Sequence, residues 1–190
     1  MTLVPAHTAL LVLDVQPAVL AAVPEAVALL DRIARAVTEV RDAGGLIAYA
    51  RVGFTEAGWA AVPAANRLFA AIAEHRALHH EDPSTAVHER VAPRAGDLVV
   101  RKIRTGALST TDLDHQLRER GITTLVVCGL TTGGAVLSTV LDAADRDYRL
   151  LVLADAVADP DRQAHDLLLS RVLPTRAEVV TTPELRALLA

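Results

Sequence analysis

Two charged residues in this sequence each come just after a short apolar run, which is typical of a side chain at the end of a buried strand. Asp14 follows residues 9–13, and Lys102 comes after residues 98–100. A carboxylate left unpaired at such a place is costly, and a lysine can supply the counter-charge. The pair could hold and transfer a proton. The pattern also leaves open a structural ion pair, or a turn at Gln16-Pro17 that Asp14 caps.

Segment 126–139 has the pattern of a buried strand, a glycine-rich turn and a helix. The backbone N–H groups of such a turn, together with the helix dipole, stabilise negative charge. An enzyme that attacks carbonyl groups would place its nucleophile in the first turn of this helix. The residue there is Ala135, so the sequence predicts an anion-binding turn without a nucleophile.

Cys128 is the only cysteine of the chain, but its position does not favour catalysis. It follows Val126 and Val127 within the predicted strand, and no histidine close in sequence could lower its pKa. A buried free cysteine packs like a small apolar residue. A single cysteine also excludes an internal disulfide framework and agrees with a reducing cytoplasm.

Several histidines raise the question of a metal site. His75 and His79 have the i, i+4 spacing of a helical zinc pair, and His80 and His88 follow them. The HExxH arrangement and a cysteine partner are missing, so we predict a solvated helix end and no metal. The glycine spacing matches neither the dinucleotide-binding nor the Walker pattern, and we therefore expect no cofactor.

Phe54 and Trp59 follow the second predicted strand in a chain that has few aromatic residues. They could line a pocket, or they could fill a gap beneath the loop. Together with Gln16, which lies close to Asp14 in sequence, they are the predicted substrate-pocket residues.

Strand and helix patterns alternate along the chain, as expected for a parallel sheet with helices on both faces. The predicted fold class is therefore α/β, in a single domain over residues 1–190. A 3-2-1-4 strand order would bring Asp14, Lys102 and the glycine turn to one crevice at the carboxyl ends of the strands. The predicted strands are 9–13, 46–52, 98–100, 124–128, 149–154 and 178–181, and the predicted helices are 24–44 (opened by Pro24), 64–74, 111–120, 134–146 and 160–169.

The composition argues against several classes of partner. The net charge is −4 with both signs interspersed, and aromatic residues make up only 3%, so nucleic-acid binding is not expected. No apolar run reaches the roughly 18–20 residues of a membrane span. The first residues lack the basic and apolar regions of a secretion signal. We expect a cytoplasmic protein that acts on a small molecule, with neither nucleic acid nor a membrane as partner.

Three motifs together resemble the isochorismatase-like cysteine hydrolase superfamily. They are Leu11-Val12-Leu13-Asp14-Val15-Gln16, then Lys102 after Val99-Val100, then Gly129-Leu130-Thr131-Thr132-Gly133-Gly134-Ala135-Val136-Leu137-Ser138-Thr139. The resemblance covers roughly residues 8–181. It implies a three-layer α/β/α sandwich with a six-stranded parallel, Rossmann-type sheet, assembled as a homodimer or homotetramer.

The catalytic residues of the amidases in this superfamily are an aspartate, a lysine and a cysteine. By resemblance, Asp14 is the aspartate, Lys102 is the lysine that holds it, and Ala135 occupies the cysteine position. The resemblance also implies a cis peptide bond at Leu130–Thr131 and an oxyanion hole from the N–H groups of Thr131 and Ala135. Nicotinamidases carry an Asp-x-His…His metal site after the second strand, and residues 52–59 lack that pattern.

Three functional hypotheses follow from the missing thiol. In the first, the chain resembles the isochorismatase branch, which lacks the cysteine, and Asp14 is a general acid whose pKa burial raises. Since Lys102 lowers that pKa, a bound anionic substrate would have to offset its charge. In the second, the chain is a catalytically silent ligand-binding or scaffold homologue. In the third, it is an amidohydrolase whose nucleophilic cysteine has been replaced by Ala135.

Overall fold

The computed structural model describes residues 2–23 and 25–189, and a six-stranded, all-parallel sheet forms its centre. The strands are β1 (Thr8–Leu13), β2 (Leu46–Val52), β3 (Leu98–Lys102), β4 (Thr124–Leu130), β5 (Arg149–Ala158) and β6 (Glu178–Val180). Their spatial order is β3-β2-β1-β4-β5-β6. Strands β2 and β3 therefore lie on one side of β1, and β4, β5 and β6 lie on the other. This order confirms the predicted α/β fold class, and it places the binding crevice beyond the carboxyl ends of β1 and β4.

Helices cover both faces of the sheet. Side chains of β1 alternate between the two cores. Leu10 and Val12 pack toward α2 (Ala26–Asp42) and α8 (Thr182–Leu189), while Leu11 and Leu13 pack toward α5 (Leu113–Glu119) and α6 (Leu137–Ala144). Among the described residues, no helix is both long and apolar enough to cross a membrane. Pro24, predicted to open α2, lies outside the described residues. The helices are α1 (Pro17–Leu20), α2 (Ala26–Asp42), α3 (Glu56–Ala60), α4 (Phe69–Glu74), α5 (Leu113–Glu119), α6 (Leu137–Ala144), α7 (Arg162–Leu167) and α8 (Thr182–Leu189).

Several predicted elements differ in length from the structure, and three of the differences have a local cause. The helix predicted at 64–74 is shortened to α4, because the side chain of Asn66 accepts the N–H of Phe69 (3.1 Å) and so marks a later helix start. Strand β5 continues to residue 158 through a register shift against β4. The helix predicted from residue 134 begins as a π-helical turn over Thr132–Val136, and α6 follows it.

Candidate active site

Asp14 is the first residue beyond β1, and it remains attached to the sheet. Its N–H donates to Ala50 O (2.9 Å), while its backbone turns into the left-handed region with φ 49°. The side chain is buried, with Asp14 only 6% exposed. The sheet therefore fixes the direction of this carboxylate.

Lys102, the last residue of β3, forms an ion pair with Asp14. Its Nζ lies 2.7 Å from Asp14 Oδ2 and also donates to the carbonyl oxygens of Arg104 (3.2 Å) and Thr105 (3.0 Å). A lysine ammonium has three N–H donors, so these three acceptors use all of them. With Lys102 itself 2% exposed, the pair is a buried unit.

The two oxygens of the Asp14 carboxyl group are not equivalent. Oδ2 faces Lys102, whereas Oδ1 is buried and has no hydrogen-bond partner among the described residues. Burial raises the pKa of Asp14 above its ordinary value of 3.8 and outweighs the lowering effect of Lys102. The two oxygens thus differ in their contacts, since Lys102 holds Oδ2 alone.

The glycine turn begins at Gly129, where β4 runs against the end of β1. Gly129 has φ 112°, and a Cβ there would lie 2.7 Å from Leu13 N and 2.9 Å from Leu13 C, so only glycine fits. The Leu130–Thr131 peptide bond is cis, which confirms that expectation. Thr131 O then accepts the N–H groups of Gly134 and Val136, both at 3.1 Å, which closes the turn.

Two side chains from the next strand and helix support this turn from behind. Asp159, which follows β5, accepts the N–H of Gly133 with its Oδ2 (2.7 Å). His165 of α7 forms a 2.8 Å hydrogen bond through Nδ1 with the hydroxyl of Thr132. Because β5 extends to Ala158, the next residue, Asp159, lies beside the turn.

The ion pair and the glycine turn border one cavity of about 200 Å³. Asp14, Lys102, Thr131 and Ala135 all line it, so residues of β1, β3 and the turn after β4 meet as the strand order requires. Ala135 presents a methyl group beside the ion pair and is almost fully buried. The catalytic roles of these residues, and the oxyanion hole at Thr131 and Ala135, stay predictions.

The structure places three predicted pocket residues behind the pocket wall rather than on it. Gln16 is buried, donating to Val52 O (2.8 Å) and Thr85 O (2.7 Å) and accepting from Val52 N–H (2.8 Å). Phe54 is fully buried against Phe69. Trp59 donates from its indole nitrogen to Ala77 O (2.9 Å). None of the three is among the residues that line the cavity, and their contact with substrate stays a prediction.

The apolar wall of the cavity is formed by residues that the sequence analysis did not single out. They come from α1, the end of β2 and the region around α4, and a helical i, i+3 spacing of Phe69 and Ile72 was the available signal. These lining residues are Val19, Val52, Leu68, Phe69, Ile72 and Leu78.

Cys128 is fully buried in the core between the sheet and α2, as predicted for a packing residue. Burial raises the pKa of its thiol far above the ordinary value. It does not line the cavity that contains Asp14. Its thiol is consequently unsuited to act as the missing nucleophile.

The histidine-rich segment does not form the helical pair that its spacing suggested. Helix α4 ends at Glu74, and the backbone of Arg76 and Leu78 has positive φ, so His75 and His79 share no helix face. Possible ligand atoms of His79, His80 and Glu81 do lie within 4.8 Å of one another. His79 already packs against Trp59 and accepts the N–H of Glu81 at 3.4 Å. The expectation of no metal stays a prediction.

Comparison with known proteins gives one consistent assignment. A sequence model of the isochorismatase domain matches residues 8–184. The uncharacterized isochorismatase family protein YwoC of Bacillus subtilis is 38% identical over 89 residues, which cover 47% of this chain and 47% of that protein. Ureidoacrylate amidohydrolase RutB of Methylorubrum extorquens is 35% identical over 138 residues, which cover 67% of this chain and 56% of that protein. The chain thus matches about half the length of these two relatives.

A solved structure extends the similarity to the whole fold. The cysteine hydrolase from Pseudomonas syringae pv. phaseolicola 1448A superposes with a TM-score of 0.87 at 25% sequence identity. The match covers 100% of this chain and 95% of that chain. The likeness therefore includes every strand and helix that positions the cavity.

Proposed function

This chain belongs to the isochorismatase family, and we propose that it hydrolyses a small molecule without a covalent enzyme intermediate. Asp14 acts as general acid and base, and Lys102 positions it. The observation that supports this proposal best is the buried ion pair of Asp14 and Lys102, which lines the same cavity as Ala135 at the nucleophile's position.

In the proposed reaction, the two carboxyl oxygens of Asp14 have different roles. Lys102 holds Oδ2, so the proton of neutral Asp14 resides on Oδ1 and is given to the substrate there. Water adds its oxygen to the activated carbon, the leaving group departs with the proton of Asp14, and a proton of the water returns to the carboxylate. N–H groups of the turn at Thr131 and Ala135 would stabilise developing negative charge.

The pKa of Asp14 bears on the anionic substrate expected from the sequence. That expectation assumed that Lys102 would keep Asp14 ionised unless a bound anion offset it. Burial raises the pKa of Asp14 even with Lys102 in contact, so the direction of the shift does not depend on a bound anion.

Asp14→Asn tests the proposal. Asparagine matches the size of aspartate and tolerates the left-handed backbone of this position, so the fold is expected to persist. After the chain has been screened against small ethers, esters and amides, we expect the variant to lose at least about 100-fold in turnover of any substrate found. The exposed Asp166→Asn is the control and should retain full activity.

Unchanged turnover by the Asp14 variant would contradict general acid–base catalysis at this residue. A chain that binds ligands in this cavity but hydrolyses none of the screened compounds would instead support the second hypothesis, a silent ligand-binding or scaffold homologue.

An amidohydrolase scaffold is the alternative that the relatives' names favour, since one is an amidohydrolase and another a cysteine hydrolase. Ala135→Cys tests it, because the new thiol would lie beside Asp14 and Lys102. We expect this thiol to react faster with iodoacetamide than free cysteine, since the lysine charge stabilises a thiolate. The unmodified chain is the control and should not react, because Cys128 is fully buried.

The same variant separates the remaining hypotheses. Amide hydrolysis gained by Ala135→Cys would support an amidase whose nucleophile has been lost. A reactive thiol without gained hydrolysis would favour the cysteine-independent hydrolase or the silent homologue. A thiol that reacts no faster than free cysteine would contradict the assignment of Ala135 to the nucleophile position.

A further inference from the structure

The size of the cavity limits what can bind beside Asp14. Its volume of about 200 Å³ equals that of roughly seven liquid waters, and it lies below the range of pockets that hold drug-sized ligands. The substrate is therefore small, and the side chains that line the cavity surround most of it.

The wall opposite the ion pair is apolar. Val19 and Val52 form one part of it, and Phe69, Ile72 and Leu78 form the part around α4. Contact with these side chains favours an apolar group, because each removes hydrocarbon surface from water.

The cavity offers an anion no free N–H donor of a charged side chain. Asp14 and Lys102 are the only ionisable side chains among its lining residues, and they pair with each other. The three N–H donors of Lys102 are all used, as described above. The guanidinium of Arg104 lies over the Phe69 ring, 5.6 Å from its centroid, and donates to Ile103 O (2.6 Å), but Arg104 is not among the lining residues. A buried carboxylate that gains no N–H donor from a charged side chain is strongly disfavoured.

We propose that this cavity binds an uncharged small molecule with one polar end and one compact apolar arm. The polar end meets Asp14 Oδ1 and the turn at Thr131, and the arm, of about the size of a phenyl or butyl group, contacts Phe69 and Ile72. This inference rests on the proposed function only in taking the cavity as the reaction site.

Matched pairs of probes test the inference by binding, without any need for turnover. Dissociation constants of the unmodified chain are measured by calorimetry for benzamide against benzoate and for butyramide against butyrate. We expect saturable binding of both amides, and binding of each carboxylate at least about tenfold weaker. Carboxylates that bind as tightly as the amides, or amides that fail to bind saturably, would overturn the proposal.

A positive charge added at the mouth of the cavity tests whether benzoate binds there. Leu68 lines the cavity and is 59% exposed, whereas Val27 is 66% exposed on α2 and does not line it, so lysine at either position is compatible with folding. We expect Leu68→Lys to tighten benzoate binding several-fold and Val27→Lys to leave it unchanged. Equal gains in both variants would show an effect of net charge alone and would reject this cavity as the binding site.

The binding and turnover experiments test the substrate class and the catalytic role of Asp14 separately. If the amides bind but the Asp14 variant keeps its turnover, the substrate class stands and general acid–base catalysis is wrong. If the Asp14 variant loses turnover but carboxylates bind better than amides, the catalytic proposal stands and the substrate class is wrong.

Discussion

Asp14 is a residue whose neighbourhood disfavours its charged form although a lysine lies against it. Desolvation is the larger effect, and the 2.7 Å ion pair with Lys102 is the smaller opposing one. Such a balance is useful to an acid catalyst, because the lysine orients one oxygen while burial keeps a proton available on the other. The proposed role of Asp14 as a proton donor rests on this balance.

The direction of this pKa shift predicts a pH dependence of stability. A group whose pKa is raised on folding contributes stability that is fully present below its unfolded pKa and is lost as the pH rises through its folded pKa. The free energy of unfolding of the unmodified chain, minus that of Asp14→Asn, should therefore fall as the pH increases from just below 4. Urea unfolding of both proteins between pH 4 and pH 8 measures this difference. A difference that increased with pH would mean that ion pairing outweighs burial.

At the scale of elements, the site depends on how closely β4 approaches the end of β1. The main chain of Leu13 occupies the space that a side chain of Gly129 would need. This contact brings the glycine turn next to Asp14, which follows Leu13 directly. Asp159 after β5 and His165 of α7 then hold the turn from the other side. Four elements thus set the position of a few N–H groups.

Gly129→Ala should damage the fold far more than the same change at another glycine with positive φ. Gly96 has φ 96° with no atom within 4 Å of an added Cβ, so Gly96→Ala should cost only the backbone strain of about 1 kcal/mol. Gly129→Ala adds a clash with the backbone of Leu13 and should cost at least about 3 kcal/mol, or leave no folded protein. Urea unfolding, or circular dichroism if Gly129→Ala does not fold, compares the two. Similar losses in both variants would show that the contact with β1 is not tight.

At the scale of the whole molecule, the sequence predicts the framework better than the pocket wall. The six strands and their order follow from apolar runs and their alternation with helices, and those runs end at Asp14 and Lys102 where the structure places them. These features depend on local pattern and on a general rule of sheet topology. The homodimer or homotetramer implied by the resemblance stays a prediction.

The wall of the cavity could not be predicted because its segment, residues 53–96, is held by contacts distant in sequence. Gln16 binds the backbone of both Val52 and Thr85, and Arg51 donates to His80 O and Thr85 O, both at 3.2 Å. These bonds do not repeat with the period of a helix or strand, so periodicity gives no sign of them. The same fact explains why the sequence offers no sign that the polar side chain of Gln16 supports this wall.

The interior position of the chain's single thiol has a consequence for the conditions under which this protein could work. Peroxide oxidises accessible thiolates, and a hydrolase that depends on such a group is inactivated when its sulfur becomes a sulfinic or sulfonic acid. Here the single sulfhydryl is sealed beneath α2, and the reaction proposed above uses oxygen and nitrogen groups only. An amount of peroxide that inactivates a thiol-dependent hydrolase would therefore leave the proposed reaction intact.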